Sequence, residues 1–230
     1  MKFVPSGRET LPPGADIRPV GDDLLSISVD DPQCAQALAT ELRNSGDWCE
    51  AVAGIDSVVI QFDNASIDLP TALQRVRRAV DELPPATQTQ TTSVEIPVCY
   101  GGDYGPDLDA VCEQLALSPV EFIARHTGTD YPVEMLGFVP GFAYIGGLDA
   151  ALNVPRRSKP RLRVAAGSVG IADGRTGLYS LPGPGGWLLV GRTPEMLFDV
   201  NASTPFLLGP GMRVRFRAIS AGEFDRLRPA

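Results

Sequence analysis

Histidine is nearly absent from this 230-residue sequence, which holds only His126, and lysine is almost as scarce, with Lys2 and Lys159 alone among 20 basic residues. Four cysteines, Cys34, Cys49, Cys99 and Cys112, stand far apart, with no Cys-x-x-Cys pair and no metal-ligand spacing. One histidine and scattered thiols argue against a structural zinc site. They read instead as free thiols, mostly buried, of a reducing compartment. Nucleophilic triads fare no better. There is no Gly-x-Ser-x-Gly elbow, and Gly167-Ser168-Val169-Gly170 lies between strand-like runs rather than before a helix. Neither a Walker sequence nor a Rossmann glycine fingerprint occurs, so a self-contained nucleotide site of either kind is unsupported. No apolar run approaches the ~20 residues of a membrane span, and the opening Met1 to Arg8 has no signal-peptide core. The expected location is the cytoplasm.

What is present fits an ordinary globular protein: 43% hydrophobic and 21% charged residues, in a length that holds one large or two small domains. The net charge of -8 is unevenly placed. Up to Asn153 there are 8 basic and 23 acidic residues; from Val154 onward there are 12 basic and 5 acidic. The overall acidity disfavours a nucleic-acid partner, because it repels a phosphate backbone. The C-terminal positive charge is nearly all arginine, whose planar fork suits carboxylate or phosphate. It reads either as a solvated rim or as an interface with an acidic partner, and complementary fields of this kind steer heteromeric association.

Periodicity orders the chain. Residues 1–15 form a loose lead-in. Strands are expected over Asp16 to Val20 and around Leu24 to Val29. A helix then opens with Asp31 as N-cap and Pro32 at N1 and stops at Asn44-Ser45-Gly46. Strands over Trp48 to Val52 and Ser57 to Phe62 follow, and a second helix begins after Leu69-Pro70. This order predicts a small α/β sandwich over residues 16–92, ending in a polar linker at 84–92. Beyond it, Ser93 to Val98 reads as a strand, Asp107 as a cap for a short helix, and Ser118 with Glu121 as a capping box for another that ends near His126. From Tyr131 on, short strands dominate. The last, Gly211 to Ile219, places Met212, Val214 and Phe216 on one face and Arg213, Arg215 and Arg217 on the other. A mostly β domain is therefore expected over 93–220, with a tail at 221–230.

Three knots of glycine and proline lie among apolar and aromatic residues: Met135 to Gly147, Ala166 to Ile171 and Leu181 to Trp187. Such runs are packed turns rather than flexible linkers, as at the corners of a small closed barrel.

Longer blocks carry a resemblance. They are Pro97-Val-Cys-Tyr-Gly-Gly-Asp-Tyr-Gly-Pro-Asp, His126-Thr, Met135-Leu-Gly-Phe-Val-Pro-Gly-Phe-Ala-Tyr-Ile-Gly-Gly-Leu, Pro155-Arg-Arg, Ala166-Gly-Ser-Val-Gly-Ile-Ala, Thr176-Gly-Leu-Tyr and Pro184-Gly-Gly-Trp-Leu-Leu-Val-Gly-Arg-Thr-Pro. In this order they closely resemble the PxpB family of 5-oxoprolinase B-type subunits, also met as KipI and allophanate hydrolase subunit 1, the carboxyltransferase subdomain C and D family. The resemblance implies an α+β chain, with an N-terminal small ferredoxin-like α/β sandwich followed by a C-terminal cyclophilin-like β-barrel. It implies a protein that works with two others, a homologous barrel (the C-type subunit) plus an A-type subunit, in the ATP-dependent opening of 5-oxo-L-proline to L-glutamate, and that is inactive alone. Relatives in urea carboxylase act as carboxyltransferases, and another inhibits a histidine kinase. ATP is used by the assembled complex, and the resemblance leaves direct contact with this chain open. Fold likeness to cyclophilin does not bring its activity.

Candidate site residues fall within or beside these blocks. Arg156, Arg157 and Arg192 offer forks for carboxylate, amide or phosphate-like groups, and Gly141, Gly167, Gly185 and Gly186 allow close backbone approach. Phe138, Pro140, Phe142, Tyr144, Tyr179 and Trp187 are suited either to wall a pocket or to fill a barrel core. His126 is read either as a packed helix-end residue or, with Arg157, as a catalytic group facing a site completed by the partner barrel.

Overall fold

The computed structural model describes residues 16–82 and 92–228. The expected lead-in at 1–15 and, apart from Thr92, the expected linker at 84–92 lie outside them or at their edge. The chain divides into two compact units between Gln90 and Thr91. Among the described residues no helix is long and apolar enough to cross a membrane.

The first unit runs β1 (Ile17–Val20), β2 (Leu24–Ser28), α1 (Pro32–Ser45), β3 (Glu50–Ala53), β4 (Ser57–Gln61) and α2 (Leu69–Asp81). Local chemistry sets the helix ends. The Asp31 carboxylate accepts from the Gln33 and Cys34 amides at 2.7 and 2.8 Å, and Gly46 stops α1 with a φ of 72°. The sheet is antiparallel in the order β1-β2-β4-β3. That is a ferredoxin-like sandwich in cyclic permutation, with the strand that normally closes the motif placed first in the chain and joined to β2 by a tight turn. Leu38 and Leu42 of α1, Val76 of α2 and Ile27, Val58 and Ile60 of the sheet are buried in one core.

The second unit begins with β5 (Ser93–Tyr100), α3 (Leu108–Leu115), α4 (Pro119–Thr127), β6 (Asp130–Leu136) and β7 (Ala143–Ile145). It continues with β8 (Arg161–Val164), β9 (Ser168–Ala172), β10 (Arg175–Leu178), β11 (Gly183–Gly185), β12 (Leu188–Arg192), β13 (Arg213–Ala218) and α5 (Ala221–Leu227). Seven strands close into a barrel in the order β10-β7-β6-β13-β5-β12-β9, and β8 with β11 forms a separate two-stranded ribbon. The α+β architecture with a barrel is thus present. The β13–β5 contact is parallel because β13 arrives through the long excursion after β12 rather than by a hairpin.

Two expectations are corrected. The segment from residue 221 is not a tail: Ser220 caps α5, and Phe224 is buried against Tyr104, with ring centroids 4.6 Å apart. The arginines of β13 are not free for an acidic partner either. Arg215 meets Asp130 at 2.6 Å, and Arg217 meets Glu95 and Glu223 at 2.7 and 2.9 Å. Arg175 of β10 meets Glu134 of β6 at 2.7 Å. The charge asymmetry along the chain is largely cancelled within the barrel, because late, basic strands pair with early, acidic ones.

Candidate functional site: an aromatic cleft beside the ribbon

An open cleft of about 260 Å³ lies where the β8–β11 ribbon meets the barrel. Phe142 is its floor, 2% exposed, with four aromatic neighbours set edge to face. Tyr144 lies 4.8 Å from it between centroids, Tyr179 4.9 Å, and Phe138 and Trp187 5.7 Å. Edge-to-face geometry places the positive ring edge on the negative face, which orients the box as well as filling it. Glycines make the box possible. A Cβ on Gly177 would meet Trp187 at 2.7 Å, and one on Gly185 would meet the Tyr179 hydroxyl at 2.4 Å. Burial raises the Tyr179 phenol above its usual range, partly offset by the Trp187 amide that it accepts from. It therefore stays protonated at neutral pH.

The ribbon wall, Pro160 and Pro184 to Gly186, is tied to the barrel through Asp107. Its carboxylate accepts from Arg161 at 2.7 Å, from Arg157 at 3.3 Å and from the Leu189 amide at 2.7 Å. Asp107 occupies the N-cap position of α3 but makes no side-chain cap bond, so the cap expected there is corrected: two guanidinium groups and the Leu189 amide take its oxygens. The Arg157 amide adds a bond to Gly186 O at 2.8 Å.

Phe138 forms the opposite rim. It is 60% exposed at φ 70°, and the Val139 amide reaches back to Gly137 O at 2.9 Å. That three-residue turn is strained for a residue with a Cβ. The next residues of the rim pack on the following loop, where a Cβ on Gly141 would lie 2.9 Å from Phe198.

Of the sequence candidates, the cleft brings together Phe138, Phe142, Tyr144, Arg156, Tyr179, Gly185, Gly186 and Trp187. The others lie elsewhere. Pro140 offers its carbonyl to the Ser180 hydroxyl at 2.6 Å, and Gly141 lies against Phe198. Gly167, at φ 81°, is a backbone junction that accepts from Thr193 and donates to Tyr179 O. Arg192 donates to Ala166 O at 2.8 Å and lies over the Phe224 ring. The Arg157 side chain turns to Asp107.

His126 requires the sharpest correction. It is 0% exposed, stacked on Phe216 at 4.5 Å and near Phe122 and Tyr131 in the barrel core. Its Nδ1 is 2.7 Å from the Tyr100 hydroxyl and its Nε2 3.1 Å from Thr176 Oγ1. Thr176 in turn donates to Gly170 O at 3.2 Å, so the neutral Nε2-H tautomer completes the relay. Burial lowers its pKa from 6.5 to about 3. A sealed, neutral, doubly bonded imidazole does not face a substrate. Residues that sequence reasoning missed are Pro160, Pro184 and Asp107. Pro184 lay inside a knot already singled out, whereas nothing in the spacing of Asp107 tells a cap from an anchor.

The carboxyltransferase domain, subdomain C and D, family model matches residues 15–208. The chain belongs to this carboxyltransferase subdomain C and D family. Within it, the 5-oxoprolinase B subunit of Escherichia coli O157:H7 is 41% identical over 179 residues, 78% of this chain and 82% of that one. The protein of the same name from Bacillus subtilis (strain 168) is 40% identical over 187 residues, 77% of this chain and 78% of that one. A crystal structure of TTHA0988 superposes with a TM-score of 0.75 at 33% identity, covering 90% of this chain and 41% of that one. This family member therefore spans about two-fifths of the length of that solved relative. The matched region takes in the whole aromatic cleft and its ribbon.

Proposed function

We propose that this chain is the B-type subunit of a 5-oxoprolinase, and that its aromatic cleft holds part of the substrate while other subunits supply the rest of the site. The observation that carries this reading is the 40–41% identity to two proteins of that name over more than three quarters of the chain. The reaction adds water across the lactam C-N bond of 5-oxo-L-proline, giving L-glutamate at the expense of ATP. The chemistry of the cleft supports a binding role. Among the described residues no histidine, cysteine or carboxylate lines it, so it lacks the commonest nucleophiles and general bases. Its partners in this reading are a C-type subunit with a related barrel and an A-type subunit. Phe138 is exposed on the rim, and Met196, Val200 and Phe206 are exposed in the excursion between β12 and β13, leaving apolar area for one of these partners.

ATP does not fit this cleft. A cleft of about 260 Å³ falls below the roughly 300–1,000 Å³ of sites that enclose larger ligands, which leaves room for one small ring and its substituents. In this reading ATP is bound outside the aromatic cleft.

The test is reconstitution. ATP-dependent turnover of 5-oxo-L-proline is expected when this chain is combined with its A-type and C-type partners. Turnover by those two without it, or by this chain alone, overturns the reading.

A further inference from the structure

Arg156 is the only cation lining the cleft among the described residues, and it is held in an unusual balance. Its guanidinium lies 5.7 Å from the Trp187 ring centroid, a stacked position at the mouth. It is bound to Asp173 through Nε alone, at 2.9 Å, which leaves both terminal nitrogens without a partner among the described residues. The two side chains are 57% and 53% exposed, and an exposed pair of this kind contributes only about 0–1 kcal/mol. The neighbouring arginines are not available in the same way, since Arg157 and Arg161 are engaged by Asp107. The backbone of Asp173 is held in place. It stands at φ 49° beside Gly174 in the hairpin turn between β9 and β10, with its amide on Val154 O at 2.9 Å.

From this geometry we infer that Arg156 binds the carboxylate of a small ring-bearing acid in the cleft, and that Asp173 is its internal competitor. The ring lies among Phe138, Tyr144 and Pro184, and the carboxylate takes the paired terminal nitrogens of Arg156 in a bidentate contact stronger than the single bond to Asp173. The inference relies on the proposed function only for naming 5-oxo-L-proline as the natural acid. The volume of the cleft, its apolar walls and its single cation call for this ligand class in any case.

Titration calorimetry on the full chain tests it with three probes: 5-oxo-L-proline, cyclopentanecarboxylate, which keeps ring and acid, and 2-pyrrolidone, which lacks the acid. Arg156→Ala is expected to weaken the two acids about tenfold and 2-pyrrolidone less than about twofold, with Arg156→Lys between. Asp173→Asn is expected to tighten both acids by about two- to fivefold, a gain that a structural role for the pair would not produce. Both residues are on the surface, and near-UV circular dichroism verifies that the variants are folded. Acids that bind Arg156→Ala as they bind the wild type overturn the inference. So does weaker acid binding by Asp173→Asn, or no acid binding by the folded wild type. In the reconstituted complex, turnover with unchanged KM in Arg156→Ala removes this subsite but keeps the proposed function. Arg156-dependent acid binding beside a complex inert toward 5-oxo-L-proline does the reverse.

Discussion

The barrel unit contains two aromatic clusters, each built around one basic side chain, and they are opposites. In the core, Phe122, Tyr131 and Phe216 enclose His126, whose two nitrogens are matched by Tyr100 and Thr176. At the surface, Phe142, Tyr144, Tyr179 and Trp187 form an open box whose basic group, Arg156, sits over a ring and faces water. The residue with the most versatile chemistry is sealed and neutral, and the arginine fork is accessible. Residue type alone therefore misplaces the site. A buried polar group with every bond satisfied specifies packing, whereas an exposed group with unused donors is available to a ligand.

Four substitutions test how separate the two clusters are. Trp187→Ala has the largest expected effect: about 3–5 kcal/mol of stability by denaturant unfolding and loss of acid binding, because it removes a buried wall of the surface box and the ring under Arg156. His126→Gln comes next, and its signature is a pH profile. The folded state takes up a proton near 3 rather than 6.5, so on acidification the unfolded chain protonates first. Stability present above pH 6.5 is then lost as the pH falls toward 3, by several kcal/mol. In His126→Gln this part of the acid destabilisation should vanish while acid binding to the cleft stays within about twofold of wild type. A variant that abolishes binding while remaining fully folded would join the two clusters into one site.

Asp107→Asn should lower stability by about 3 kcal/mol, since it strands two arginines on a nearly buried partner. It should also weaken acid binding by loosening the ribbon, and the order of the ribbon can be followed by amide exchange in β8 and β11. Phe138→Gly has the smallest effect on stability, unchanged or raised by up to about 1 kcal/mol, because glycine accepts φ 70° without strain. Acid affinity should still fall severalfold with the lost rim. If stability drops instead, the ring belongs to the core rather than the cleft.

Much of the fold was legible. Asp31 and the Ser118-Glu121 capping box act through bonds to backbone a few residues away, and Gly46 through its own left-handed φ, so local sequence suffices to find them. The alternation in β13 marked Val214 and Phe216 as core correctly. Strands β7 and β11, three residues each, gave too short a pattern to see, and α5 was missed beyond the last strand. Within the site, aromatics in the glycine-proline knots were found because their packing demands those glycines. Arg192 and Gly167 belong to the same blocks yet serve backbone junctions, a difference that no spacing reveals.

Local patterns set the order of elements, the helix ends and the aromatic content of the barrel, since each depends on bonds or periodicities within a few residues. Only the tertiary structure decided that His126 is enclosed, that Asp107 anchors Arg157 and Arg161 from fifty and more positions away, and that Arg156 stands over Trp187 with donors to spare. Accessibility and partnership arise when the barrel closes and the ribbon folds against it, and closure joins residues that no local pattern connects.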